Sequence, residues 1–274
     1  MSTEGFRFPL DMEREILETA AAIHPKTIPT LLRACHRIHS WLEPLLYSVI
    51  ITTEPDDPVF DAIQRKSPAF LQNAVRHVFL GANAVKAAAE HLLPHCSGIT
   101  SLCFDAFVDR SILGLLANNT HIRKFNISVA LDPSILKQPM FLSISHLDIY
   151  RDSPVPTKWD DDWCLLASPS LPALTHLCLS DTISVFLLDE VLAGCPRLRV
   201  VITAFWRERD WHRALAFANG LTTEDPRAVV MVSGDYTEDW ERGARGGEDF
   251  WIRAEMFVAR KRAGEIEENH YFMG

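Results

Sequence analysis

Ile99-Thr100-Ser101-Leu102-Cys103-Phe104 carries apolar residues at the first, fourth and sixth places of a six-residue phrase. The phrase recurs as Val75-Arg76-His77-Val78-Phe79-Leu80, Ile122-Arg123-Lys124-Phe125-Asn126-Ile127, Ile144-Ser145-His146-Leu147-Asp148-Ile149 and Leu174-Thr175-His176-Leu177-Cys178-Leu179. A weaker copy begins at Leu198, with Val201 in phase but Val200 and Ile202 as the better alternation. Successive starts are 24, 23, 22, 30 and 24 residues apart. Alternate residues of a strand point to the same side, so each phrase specifies one short strand with an apolar face. One such strand cannot bury that face alone; stacking the copies at a fixed period can.

The segments between phrases are the right length and composition for helices. Ala84–Leu93 is Ala-rich, and Ser111–Leu116 and Phe186–Leu192 are shorter apolar runs ending near polar or Gly stops. Val229–Val232 reads as a further strand. The 30-residue step contains an insertion, Arg151–Trp163, stiffened by Pro154 and Pro156 and ending in Trp159-Asp160-Asp161-Asp162-Trp163. Three carboxylates between two Trp suit the positive end of a helix better than a recognition tip.

Upstream, Met12, Ile16, Leu17, Ala20 and Ile23 form one helical stripe, opened by Pro9 and Asp11 and closed by Pro25. Leu31, Cys35, Ile38, Leu42 and Leu45 step by 4, 3, 4 and 3 and predict a second helix over Ile28–Leu46, with Pro44 ending or kinking it. Two helices this short bury too little apolar area to stand alone. Val49–Thr53 reads as a short strand, and Glu54–Pro68 as a linker with a helical turn or two around Val59–Gln64. Downstream, Trp206–Ala218 is an amphipathic helix, Trp240–Gly247 a Gly-rich turn, and Glu248 to about Asn269 a long helix expected to cap the end of the stack.

Bulk properties exclude several classes. A net charge of −9 is wrong for counterion release from nucleic acid or for an anionic membrane surface. No apolar run reaches eighteen residues, and MSTEGFRFPL lacks the basic and apolar regions of a secretory signal. Six scattered cysteines without a Cys-x-x-Cys pair read as reduced thiols of an intracellular protein, cytoplasmic or nuclear, where the glycosylation triplets at Asn118 and Asn126 carry no meaning. His91 and His95 lack further ligands, no Gly-x-Ser-x-Gly occurs, and the Gly-rich turn lacks the Lys-Ser/Thr of a phosphate loop. No enzyme activity, cofactor or metal is expected.

Leucine-rich repeats share this period and short-strand phrase. The junctions Leu171-Pro172-Ala173-Leu174 and Cys195-Pro196-Arg197-Leu198 resemble those of F-box leucine-rich-repeat proteins. Phe8-Pro9-Leu10-Asp11-Met12, Ile16-Leu17 and Leu31-Leu32-Arg33-Ala34-Cys35-His36-Arg37-Ile38 resemble an F-box, in a phrasing similar to the F-box-like proteins of mushroom-forming fungi. Phe8 stands for the usual Leu, Asp11 for Glu and Ile38 for Trp, and the likeness spans about forty residues. The resemblance implies docking on the small adaptor subunit of a cullin–RING ubiquitin ligase, through Pro9, Leu10, Ile16, Leu17, Leu32, Cys35 and Ile38.

The expectation is therefore an α/β chain: an F-box-like helical unit at 1–53, a linker at 54–72, an irregular leucine-rich-repeat-like solenoid at 73–235 and a C-terminal helix or cap at 236–274. Its expected function is that of a ligase substrate receptor, monomeric outside the complex, holding an unknown protein substrate. The alternative is a repeat-based binding scaffold whose F-box-like segment is only a structural cap. That alternative expects Ile16, Leu17 and Ile38 to be buried against the first repeat.

Overall fold

The computed structural model describes residues 8–128, 136–150, 171–180 and 185–273. The chain is a mixed α/β protein. Among the described residues nine parallel strands form one sheet in chain order: β1 (Val49–Thr52), β2 (His77–Gly81), β3 (Ser101–Phe107), β4 (Lys124–Ser128), β5 (His146–Tyr150), β6 (His176–Ser180), β7 (Val200–Phe205), β8 (Ala228–Val232) and β9 (Phe272–Met273). The insertion Arg151–Trp163 and Cys164 lie outside the described residues.

The register explains why the phrase repeats. Val78, Leu102, Phe125, Leu147, Leu177 and Val201 are successive partners across six strands. All are buried, and they join one core with the phrase-opening Val75, Ile99, Ile122, Ile144, Leu174 and Leu198. Between copies the backbone repeats one device. Arg76 C=O accepts from the N–H groups of Thr100 and Ser101 (2.7 and 3.1 Å), and Thr100 C=O from those of Arg123 and Lys124 (2.7 and 3.1 Å). Arg123 and Ser145 carbonyls serve the next two copies in the same way.

The helices on this face are α4 (Pro58–Gln64), α5 (Pro68–Ala74), α6 (Val85–His91), α7 (Arg110–Leu116), α8 (Val185–Gly194) and α9 (Trp211–Asn219). Several begin on a side-chain cap that relieves an orphan N–H. Asp57 accepts from Val59 N–H, Ser67 from Phe70 N–H and Asp109 from Ser111 N–H. The stretch read as a linker thus contains two helices, and the Ser67-Pro68 start of α5 is where the sequence reading stopped short. Gly98 marks the tightest packing between copies. A Cβ there would lie 2.0 Å from Gln72 O and 2.2 Å from the Arg76 guanidinium. Gly98→Ala is expected to cost about 1–3 kcal/mol through overpacking, read as a lower urea midpoint.

The N-terminal helices are α1 (Leu10–Ile23), the one-turn α2 (Ile28–Leu31) and α3 (His36–Leu46). The continuous helix expected over Ile28–Leu46 is broken: Cys35 is extended (φ −165°, ψ 163°) and α3 restarts at His36. A small core of Ala21, Ile28 and Leu42 holds the three together. Tyr47 packs edge-on against Phe70, and Lys66 donates to Glu43 (2.6 Å), joining this unit to α5.

The C-terminal helices α10 (Tyr236–Ala244) and α11 (Phe250–Arg262) correct two expectations. The Gly-rich turn is largely helical, started by Asp235 accepting from Glu238 N–H at 3.0 Å. The long helix ends at Arg262, at a positive-φ glycine two residues on, Gly264 (φ 73°). Neither helix sits over the end of the sheet, where the sequence reading put a cap. Both lie across its second face, because that face is itself apolar at both ends. Phe79 and Cys103 meet Trp240. Val200, Ile202, Val229 and Met231 meet Phe250, Trp251, Ala254, Phe257 and Val258. Among the described residues no helix is long and apolar enough to cross a membrane.

Candidate functional site

Two arrangements carry chemistry or surface that the fold alone does not require. The first is the outer side of α1. Pro9 opens the helix, its carbonyl accepting from Glu13 N–H at 3.0 Å. Met12, Ile16 and Ile23 step by 4 and 7, which sets them along one side. That side faces solvent: Met12 is 48% exposed, Ile16 50% and Ile23 65%. Leu10 (56%), the first helical residue, and Phe8 (50%), just before the helix, are also exposed, but Leu10 falls on the side of Leu17 and Ala21. Scattered apolar residues on a surface need no explanation, but three along one side of a single helix do.

The seven residues named from the sequence divide into two sets. Pro9, Leu10, Ile16 and Cys35 are exposed, Cys35 at the break before α3. Leu17, Leu32 and Ile38 are half-buried around Ala21, Ile28 and Leu42. The stripe that seemed continuous in the sequence is thus split: Leu17 and Ala21 turn inward and Met12, Ile16 and Ile23 outward. Arg37 holds α3 against α1 through both oxygens of Glu13 (2.8 Å each). This pair is exposed and contributes on the order of 0.5 kcal/mol.

The second arrangement is a polar seam between the sheet's second face and the C-terminal helices. It was not read from the sequence. Its signal was the recurrence of polar residues at the off-phase places of the phrase: His77, Ser101, Lys124, His146 and His176 share one cross-strand row. Asp148, 2% exposed, accepts from Asn126 Nδ2 (2.6 Å) and the Tyr236 hydroxyl (3.0 Å). Lys124 Nζ donates to Asp249 Oδ2 (2.7 Å). Asp239, 3% exposed, accepts from Phe250 N–H (2.8 Å) and Arg253 (2.7 Å). His146 and His176 stack with centroids 4.0 Å apart and planes 1° apart, and Trp251 stands nearly perpendicular to both. His176 Nε2 meets Glu255 Oε1 at 2.9 Å.

The seam encloses a cavity of about 90 Å³ lined by His77, Lys124, Asn126, Asp148, Tyr236 and Asp249, among others. Its Lys124–Asp249 ion pair aside, the titratable groups with a clear shift are held in their neutral forms by burial. Burial drives the Cys103 thiol and the Tyr236 hydroxyl well above their ordinary values, so neither is available as an anion. Burial, then the nearby cations Lys124, Arg76 and Arg245, lower His77 to about 4. Among the described residues no group of three or more His, Cys, Asp or Glu is placed to hold a metal. His91 and His95 fall at the end of α6 and in the following turn.

No model of a known protein family matches the chain, and no curated protein matches it.

Proposed function

We propose that the chain is a non-enzymatic adaptor that docks through its N-terminal helices on the small adaptor subunit of a cullin–RING ubiquitin ligase, as a substrate receptor of the F-box type. The nine-stranded region is proposed to act as a leucine-rich-repeat-like solenoid presenting a protein substrate. The observation that supports this reading best is the outward apolar side of α1, with Met12 and Ile16 about half exposed and Ile23 more so. A face of that kind needs an apolar partner. The second face of the sheet is filled by α10 and α11. The substrate surface is therefore proposed to lie on the rim loops or the flanks of the sheet.

The alternative, a repeat-based scaffold with a structural N-terminal cap, is favoured by the Glu43–Lys66 and Tyr47–Phe70 contacts that tie the helices to α5. Co-expression with the ligase adaptor separates the two. The full chain is expected to co-purify with the adaptor, and Ile16→Asp to reduce recovery at least tenfold without lowering the thermal midpoint, since Ile16 is outside the small core. Leu17→Asp is expected to unfold the helical unit instead. Absence of adaptor with the wild-type chain would sink the receptor reading.

A further inference from the structure

The two faces of the sheet have separate cores. The helix-side core runs from Ile50 to Tyr271 without including any residue of α10 or α11. The C-terminal helices are held by two smaller clusters, around Phe79 and Trp240 and around Ile202 and Trp251. His146, on β5, lies between these clusters, with His77 on β2 and His176 on β6 at their margins. We propose that α10 and α11 form an acid-released cover over the sheet's second face, with His77 and His146 as its sensors and the stacked His176 as their modulator.

The geometry gives the reason. Two parallel imidazoles with centroids 4.0 Å apart cannot both be charged without strong repulsion. His146 also faces Lys124 from β4 and Arg199 from the start of β7, and Trp251 of α11 closes over it. Its Nδ1 lies 2.9 Å from the Ser145 hydroxyl. His176 faces the same cations, but Glu255 of α11 faces it too and opposes the effect of burial. The first proton on the pair therefore belongs to His176, and the second is resisted. Among the described residues His77 has a buried Nδ1 without a hydrogen-bond partner, and it faces Lys124, Arg76 and, just beyond α10, Arg245. Asp249 neutralises Lys124 at 2.7 Å but lies on the cover itself, so it leaves when the cover leaves.

The sign follows from proton linkage. Burial first, and then the neighbouring charges, lower His146 to about 2 and His77 to about 4 while the cover is docked. Once exposed, each returns towards its ordinary value of about 6.5. The released state then binds more protons at any pH between that value and the docked one. Docking is fully favourable above about pH 6.5 and weakens by about tenfold per pH unit for each histidine as the pH falls. At pH 5 the two together amount to about a thousandfold. Release bares the row His77, Ser101, Lys124, His146 and His176, which is then a strip of positive charge across five adjacent strands.

Hydrogen exchange of the full chain, corrected for intrinsic rates, tests this between pH 7.5 and 5. Residues 250–262 are expected to lose protection while β3 to β5 keep theirs, and a His77→Gln/His146→Gln variant is expected to flatten the pH dependence of that loss at least tenfold. Helix and strands losing protection together, a helix still fully protected at pH 5, or an unchanged pH dependence in the variant would each overturn the proposal. Should the double variant not fold, Glu255→Gln serves. Without the carboxylate that supports His176, release is expected to steepen with acid, and an unchanged slope counts against the proposal.

Discussion

Phe125→Ala is expected to remove about 3–5 kcal/mol of stability, the largest loss of any single truncation proposed for this chain. Phe125 is 2% exposed at the centre of the helix-side core. Its ring meets Phe104 at 6.1 Å and Phe141 at 6.0 Å, both nearly edge-on, the arrangement that the ring quadrupole favours. The site cannot collapse readily. Leu102 and Leu147 flank it on the neighbouring strands, in a register fixed by the sheet. Removing the ring therefore loses the transfer energy and leaves most of the void. Urea unfolding with an unchanged slope checks it. Leu215→Ala, on the exposed side of α9, is expected to stay within about 0.5 kcal/mol. A Phe125→Ala loss below 1 kcal/mol would mean that the phrases do not stack in this register.

Arg227→Ala is expected to cost about 2–4 kcal/mol. The guanidinium donates to three carbonyls at the end of α8 and beyond, Leu192 (2.7 Å), Cys195 (3.1 Å) and Leu198 (3.2 Å), and pairs with Asp225. It caps the last turn of α8 from just before β8, one strand beyond the next, where orphan carbonyls need donors. Arg76 does the same between Gln72, Val75 and Gly98, and Arg123 between Thr120 and Ser143. With Arg227 removed, three carbonyls lose the guanidinium, Cys195 C=O keeping only Leu198 N–H, and Asp225 loses its cation. Arg227→Lys is expected to recover less than half of the loss, because an ammonium cannot reproduce the planar fork. Equal stability of the Lys variant and the native chain, measured in urea, would contradict the capping role.

The strands were legible in the sequence because the in-phase places of each phrase are filled by large apolar residues with little competing signal. Val78, Leu102, Phe125, Leu147 and Leu177 are all in the expected order and face; at the sixth copy Val201 joins this core, and Val200 and Ile202, the alternation the sequence favoured, face the C-terminal helices instead. The off-phase places were not legible in the same way. Nothing local marks that His146 stacks on His176 from thirty residues away or that Trp251 closes over both. Helices α5 and α10 were missed for a related reason. Their starts rest on Ser67 and Asp235 caps, but Pro68 and the glycines after Trp240 suggested loop. The break at Cys35 was hidden by a stripe that continues in register across it. The exposed face of α1 was only half legible. Periodicity finds Met12, Ile16, Leu17 and Ile23, but only the packing around Ala21 tells which of them turn outward.

The central claim is that the outward side of α1 is a docking face for the ligase adaptor. Calorimetric titration of the full chain with the purified adaptor subunit measures this most directly, with Ile16→Asp on the proposed face and Leu215→Asp on α9 as the control. The account predicts saturable binding by the native chain and the Leu215 variant, and at least a tenfold weaker association for the Ile16 variant at equal thermal stability. No binding by the native chain, or equal binding by the Ile16 variant, would contradict it.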